Sequence, residues 1–157
     1  TEHDPREDLS GNDVGRKLLI LSRELELSNE FSDINIQNFI PELLQNGSVD
    51  DFMGNLEVLN DKFNELKKNQ KPNYVLRYVG DLHGDLRKEK GKLDVKLISV
   101  PKESALGQVK GSDSIIEIYP ESYGEHPLVI QGAGAGAAVT ARGVFGDILR
   151  IAEKGEL

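Results

Sequence analysis

Between Lys92 and Leu97 the side chains alternate, with Lys92, Asp94 and Lys96 set against Leu93, Val95 and Leu97. A period of two fits only an extended strand with one apolar and one wet face. Runs rich in β-branched and aromatic residues predict further strands at Tyr74 to Leu82, Ile115 to Tyr119 and Leu128 to Ile130, and Ile34 with Ile36 marks another. On either side the period lengthens. Val14, Leu18, Leu21 and Leu25 recur at helical spacing, which predicts a helix from about Gly11 to Glu26, with Ser10 as N-cap and Asp13 completing a short-armed capping box. Ser48 and Asp51 repeat that pattern ahead of Phe52, Leu56, Leu59, Phe63 and Leu66, predicting one long or two consecutive helices. A last helix is expected from about Ala137 to Glu153, with Val144, Ile148 and Ile151 on one stripe. Helices before and after a block of strands predict an α+β fold, a mostly antiparallel sheet covered on one face by helices.

The chain of 157 residues is about one domain long and can bury a core unaided. It has no cysteine, which excludes disulfides, a thiol nucleophile and thiolate metal sites, and fits a cytoplasmic location. A net charge of -8 argues against nucleic acid or an anionic membrane as a partner. No apolar run approaches the roughly 20 residues that span a bilayer. The sequence opens on Thr1 and its one Met is Met53, so a longer parent chain is expected.

Gly132-Ala133-Gly134-Ala135-Gly136-Ala137 follows an expected strand, opens an expected helix and formally matches the dinucleotide fingerprint. A Rossmann half-unit, however, needs a second strand and an acidic ribose ligand about 20 residues on, where residues 137–153 read as one helix. Two readings stay open: a bare turn that lets a cofactor held mainly elsewhere approach closely, or a turn that only packs a helix on a strand.

The first eight positions carry four carboxylates, Glu2, Asp4, Glu7 and Asp8, which suit the positive end of a helix dipole. With His3 they lack the spacing of a recognisable metal site, and no metal is expected. His83 and His126 lie in turn-like contexts and read as solvated loop histidines. Arg6 has no distinguishing context. On the expected helix, Lys17 lies roughly 70° and Asp13 roughly 110° from the centre of the apolar stripe, on its flank. A lysine at such an edge can be partly desolvated and serve as a proton donor. The same pair can equally be an ordinary i,i+4 ion pair.

The run TEHDPREDLSGNDVGRK, residues 1–17, resembles the substrate-site motif of homoserine dehydrogenases, usually written TEPDPRDDLSGxDVARK. It departs from it at His3, Glu7 and Gly15, where Pro, Asp and Ala are usual. Gly132 to Gly136 with Ala137 to Ala141 and Gly143-Val144-Phe145 is similar to the family's C-terminal segment. Val75 to Gly80 and Lys110 to Asp113 are also similar to the family, so the resemblance covers essentially the whole chain.

The resemblance implies NAD(P)-dependent interconversion of homoserine and aspartate 4-semialdehyde, with NADP or NAD held mainly by a dinucleotide-binding domain that precedes the motif. It implies a substrate-binding and dimerisation domain at residues 1–131 and, at 132–157, a turn and helix that return to the cofactor domain. By residue, Lys17 matches the proton donor and acceptor, Glu2 and Asp13 match homoserine-binding residues, Asp8 is a weaker member of the site, and Gly136 falls where the family touches the cofactor. A homodimer through the sheet is implied. The helical stretch around residues 48–70 is similar to forms fused to an aspartate kinase and to fungal single-function forms, and the fused form is favoured. The competing reading is a non-catalytic dimerisation or regulatory domain.

Overall fold

The computed structural model describes residues 3–155. They fall into two compact units that divide between Pro101 and Lys102. The first holds α1 (Arg6–Ser10), α2 (Asn12–Glu24), β1 (Ile34–Ile36), α3 (Glu42–Gln45), α4 (Val49–Gly54), α5 (Asn60–Lys68), β2 (Tyr74–His83) and β3 (Lys92–Pro101). Its sheet runs in the order β1-β3-β2. β2 and β3 pair antiparallel with Asp81 opposite Asp94, whereas β1 joins β3 in parallel with Ile34 opposite Leu93. The alternation of β3 is realised, Leu93 and Val95 being buried with Leu18 of α2 and Ile34.

Two details of α2 differ from expectation. Ser10 ends α1 and Gly11, not Ser10, stands at the N-cap position of α2; the Ser10 hydroxyl donates to the Glu7 carbonyl at 2.9 Å and its oxygen accepts the Asn12 N–H at 3.3 Å. The bend between the helices falls on Gly11 at φ +81°, where a Cβ would run into the Tyr78 hydroxyl. The buried face of α2 is formed by Gly15, Leu18 and Ser22, while Leu21 and Leu25 are exposed. That face is turned by roughly 60° from the expected stripe, a rotation that the small residues Gly15 and Ser22 permit.

A second cluster packs Ile40, Leu44, Phe52 and Leu59 together. The Ser48–Asp51 capping box forms as expected: the Asp51 N–H donates to Ser48 Oγ at 3.0 Å and the Ser48 N–H to Asp51 Oδ2 at 3.2 Å. The helical stretch that follows is broken by a 3₁₀ turn at Leu56–Leu59. Phe39 stacks against both Tyr78 and Phe63.

The second unit holds α6 (Ala105–Gln108), β4 (Asp113–Ile118), β5 (Leu128–Ala133) and α7 (Ala137–Glu153). β4 and β5 form their own antiparallel ribbon, so the expected strands belong to two sheets rather than one. None of the described residues of this unit is buried, and Val144, Phe145 and Ile148 of α7 stay at least half exposed. No helix among the described residues is long and apolar enough to cross a membrane.

Candidate active site

The parallel strand β1 and the hairpin β2–β3 form the seat for α2, and α2 presents Asp13 and Lys17 one turn apart. The Lys17 ammonium lies 2.8 Å from Asp13 Oδ2. With the buried face centred between Gly15, Leu18 and Ser22, Lys17 points roughly 130° and Asp13 roughly 170° away from it. The side chain of Lys17 is 71% exposed, so residues of this unit do not desolvate it as the flank position suggested. Exposed Ile20 and Leu21 stand on either side of it on the helix surface.

Asp8 is exposed on α1, and its carbonyl accepts the Gly11 N–H at 3.3 Å at the bend that leads to Asp13. Glu2, expected to bind substrate, lies outside the described residues. Gly136, expected at the cofactor, caps the start of α7 with extended backbone, and a Cβ there would meet nothing within 4 Å. Gly134 is different. Its N–H donates to the Ser112 carbonyl at 3.0 Å, and a Cβ would run into that oxygen. Gly134 thus packs within the β4–β5 ribbon, and Gly136 is sterically open.

Two groups escaped the sequence. Arg6 is largely buried, 16% exposed, and grips Asp4 with Nε at 2.9 Å and Nη2 at 2.6 Å. This fork holds the Asp4 carboxyl below the usual carboxylate range. A groove of about 420 Å³ is lined by Asp4, Arg6, Glu7, Ser10 and Asn12 among others, and not by Asp8, Asp13 or Lys17.

His83 is the second group. It is half-buried at the end of β2, not a solvated loop residue, with Nδ1 3.5 Å from Asp81 and Nε2 3.8 Å from Asp94. Period-two spacing puts Asp81 and His83 on one face, and only the strand register adds Asp94. These three have a metal-binding donor set. Lys96 Nζ, however, lies 2.7 Å from Asp81 and 3.9 Å from Asp94, so an ammonium already pairs with these carboxylates. Asp81 raises the pKa of Lys96 in return. His126 is exposed in the loop before β5.

The homoserine dehydrogenase family model matches residues 1–149. Over 153 residues the chain is 42% identical to the chloroplastic bifunctional aspartokinase/homoserine dehydrogenase 1 of Zea mays, covering 96% of this chain and 16% of that protein. Over 160 residues it is 41% identical to homoserine dehydrogenase of Paracoccidioides brasiliensis, covering 98% of this chain and 41% of that one. A crystal structure of a Candida auris protein of unknown function superposes with a TM-score of 0.76 at 36% identity, covering 97% of this chain and 42% of the other. The chain belongs to the homoserine dehydrogenase family. It spans less than half the length of these relatives.

Proposed function

We propose that this chain is the substrate-binding and dimerisation portion of an NAD(P)-dependent homoserine dehydrogenase that interconverts homoserine and aspartate 4-semialdehyde, and that it is inactive alone. The observation that carries the reading is the Asp13–Lys17 pair, set at 2.8 Å on a helix anchored by buried Leu18. A bound nicotinamide supplies or accepts the hydride. Lys17 protonates the alkoxide oxygen when the aldehyde is reduced and takes that proton back in the other direction, stabilising the charge as it forms. Asp13 holds the ammonium and substrate in register, Glu2 binds the substrate amino group, and Asp8 adds to the polar wall.

The dinucleotide-binding domain is assigned to the parent chain. Two features support it: Lys17 stands in solvent between exposed Ile20 and Leu21, and α7 carries uncovered Val144, Phe145 and Ile148. A covering domain would exclude water from both. Open, extended Gly136 fits close approach of a dinucleotide, and residues 132–157 are the segment that returns to its domain. The homodimer is assigned to the sheet of the first unit. A parent fused to an aspartate kinase and a cytoplasmic location complete the reading; the maize relative is named chloroplastic.

The test is Lys17→Ala in the full-length protein. Turnover of homoserine should fall by about 10²- to 10⁴-fold, with stability unchanged within about 0.5 kcal/mol. Near-normal turnover would reject the reading and leave a non-catalytic domain.

A further inference from the structure

Strand β2 receives the helix that bears Asp13 and Lys17 at two alternate residues on one face, Tyr78 and Gly80. Tyr78 lies under the bend that starts α2. A Cβ at Gly11 would run into its hydroxyl, so the tyrosine oxygen takes the space that a side chain at Gly11 would need. Gly80 lies under Val14 and Leu18, the residues that follow Asp13 and Lys17 in the chain. A Cβ at Gly80 would stand 3.2 Å from Val14 Cγ1 and 3.4 Å from Leu18 Cδ1, so its bare backbone sets how closely α2 approaches the sheet.

The tyrosine hydroxyl is itself fixed. It donates to the Gln37 carbonyl at 2.9 Å. Gln37 is held to β3 by two further bonds, its N–H donating to the Val95 carbonyl and its Oε1 accepting the Leu97 N–H, each at 2.8 Å. The Tyr78 ring packs on Phe39 with centroids 4.7 Å apart, and the Phe39 N–H donates to the Leu9 carbonyl of α1 at 3.2 Å. The bend above joins the two helices through its own backbone. The Gly11 N–H donates to the Asp8 carbonyl, and the Gly11 carbonyl accepts the Gly15 N–H at 2.9 Å in the turn that carries Asp13.

From this seat we infer that Tyr78 is a positioning residue: its hydroxyl, wedged beneath Gly11, sets where α2 holds Asp13 and Lys17, without touching substrate itself. The inference rests on the homoserine reading above. Proton transfer needs the ammonium within hydrogen-bond reach of the alkoxide oxygen, so a small displacement of Lys17 is felt in kcat. Phenylalanine at position 78 would keep the ring and its contact with Phe39, and would lose only the wedge and its bond to Gln37.

The experiment compares Tyr78→Phe, Lys17→Ala and the two combined in the full-length protein. Tyr78→Phe should lower kcat for homoserine about tenfold and leave the dinucleotide KM within about twofold. In the Lys17→Ala background it should add no further loss, because the group it aims is gone. An unmoved kcat overturns the proposal, and so does a full additional loss in that background, which is what a merely structural hydroxyl would give. If Tyr78→Phe does not fold, Gly80→Ala, which pushes Val14 and Leu18 outward, takes its place in the same cycle, with the same two overturning results. If the unaltered protein does not oxidise homoserine, the functional reading falls, and amide exchange then decides the seat. Tyr78→Phe should speed exchange at residues 11–17 by about tenfold relative to residues 49–68, and equal exchange overturns it.

Discussion

Lys17 Nζ and Asp13 Oδ2 lie 2.8 Å apart on one face of α2, and both side chains are substantially exposed, at 71% and 44%. Such a pair stabilises a helix by only a few tenths of a kcal/mol, so the fold tolerates its loss. Asp13→Asn should leave the melting temperature within about 2 °C and lower homoserine turnover in the full-length protein by about 10- to 100-fold. A variant that loses stability but keeps turnover would make the pair merely structural.

The two glycines before α7 should separate in their effects. Gly134→Ala forces a Cβ onto the Ser112 carbonyl and should cost about 1–3 kcal/mol, seen as faster amide exchange across β4 and β5. Gly136→Ser meets open space and provides a good N-cap, so stability should hold within about 0.5 kcal/mol. In the full-length protein the same change should raise the dinucleotide KM and spare the homoserine KM.

Gly15 stands where relatives of the motif usually carry Ala. A Cβ there would lie 3.1 Å from Ile36 Cδ1 and 3.1 Å from Phe31 Cε2, both far ends of side chains that can shift. The helix gains up to about 1 kcal/mol from Gly→Ala. Denaturant unfolding of Gly15→Ala should therefore show a net gain between zero and about 1 kcal/mol; a loss would mean that Phe31 and Ile36 cannot yield.

Acid should unfold the first unit through three aspartates whose pKa values are depressed. Asp4 is held down by Arg6, Asp33 by the Glu30 N–H and then Lys90, and Asp51 by the Ser48 hydroxyl and N–H. Unfolded, each titrates near the ordinary value of about 3.9 and so binds protons there that the folded state refuses. Their contribution is present above about pH 4 and is lost as pH falls through the depressed values. Lys90 and Lys96, raised by Asp33 and Asp81, act oppositely and lose their contribution only as pH climbs past the ordinary lysine range. Melting temperature between pH 7 and 2.5 should drop below about pH 4, less steeply in the combined Asp4→Asn, Asp33→Asn, Asp51→Asn variant.

Periodicity carried the elements well where one face alone decides them. β3 and α7 fall where their apolar spacing puts them, and the capping box at Ser48 follows from side-chain chemistry three residues apart. It failed where tertiary contacts choose among local options. The orientation of α2 depends on Ser22 and Gly15, which carry little hydropathy, and its start depends on Tyr78 lying under Gly11. The direction of β1 depends on a strand far along the chain. Arg6 gave no signal because its partners, the Gly47 carbonyl and Phe52, are remote, and His83 became interpretable only once the register set Asp94 opposite Asp81.

That remote pairing of β1 sets an order of assembly. Asn35 Nδ2 donates to Asp94 Oδ1 across 59 residues, and Leu18 finds its neighbours Leu93 and Val95 only there. Closing so long a loop is slow compared with forming a helix. During synthesis the turn of helix bearing Lys17 emerges before β3 and waits, its anchor unseated, until β3 has left the ribosome. The helix is thus made before the strands that seat it and takes its place only once β3 is complete.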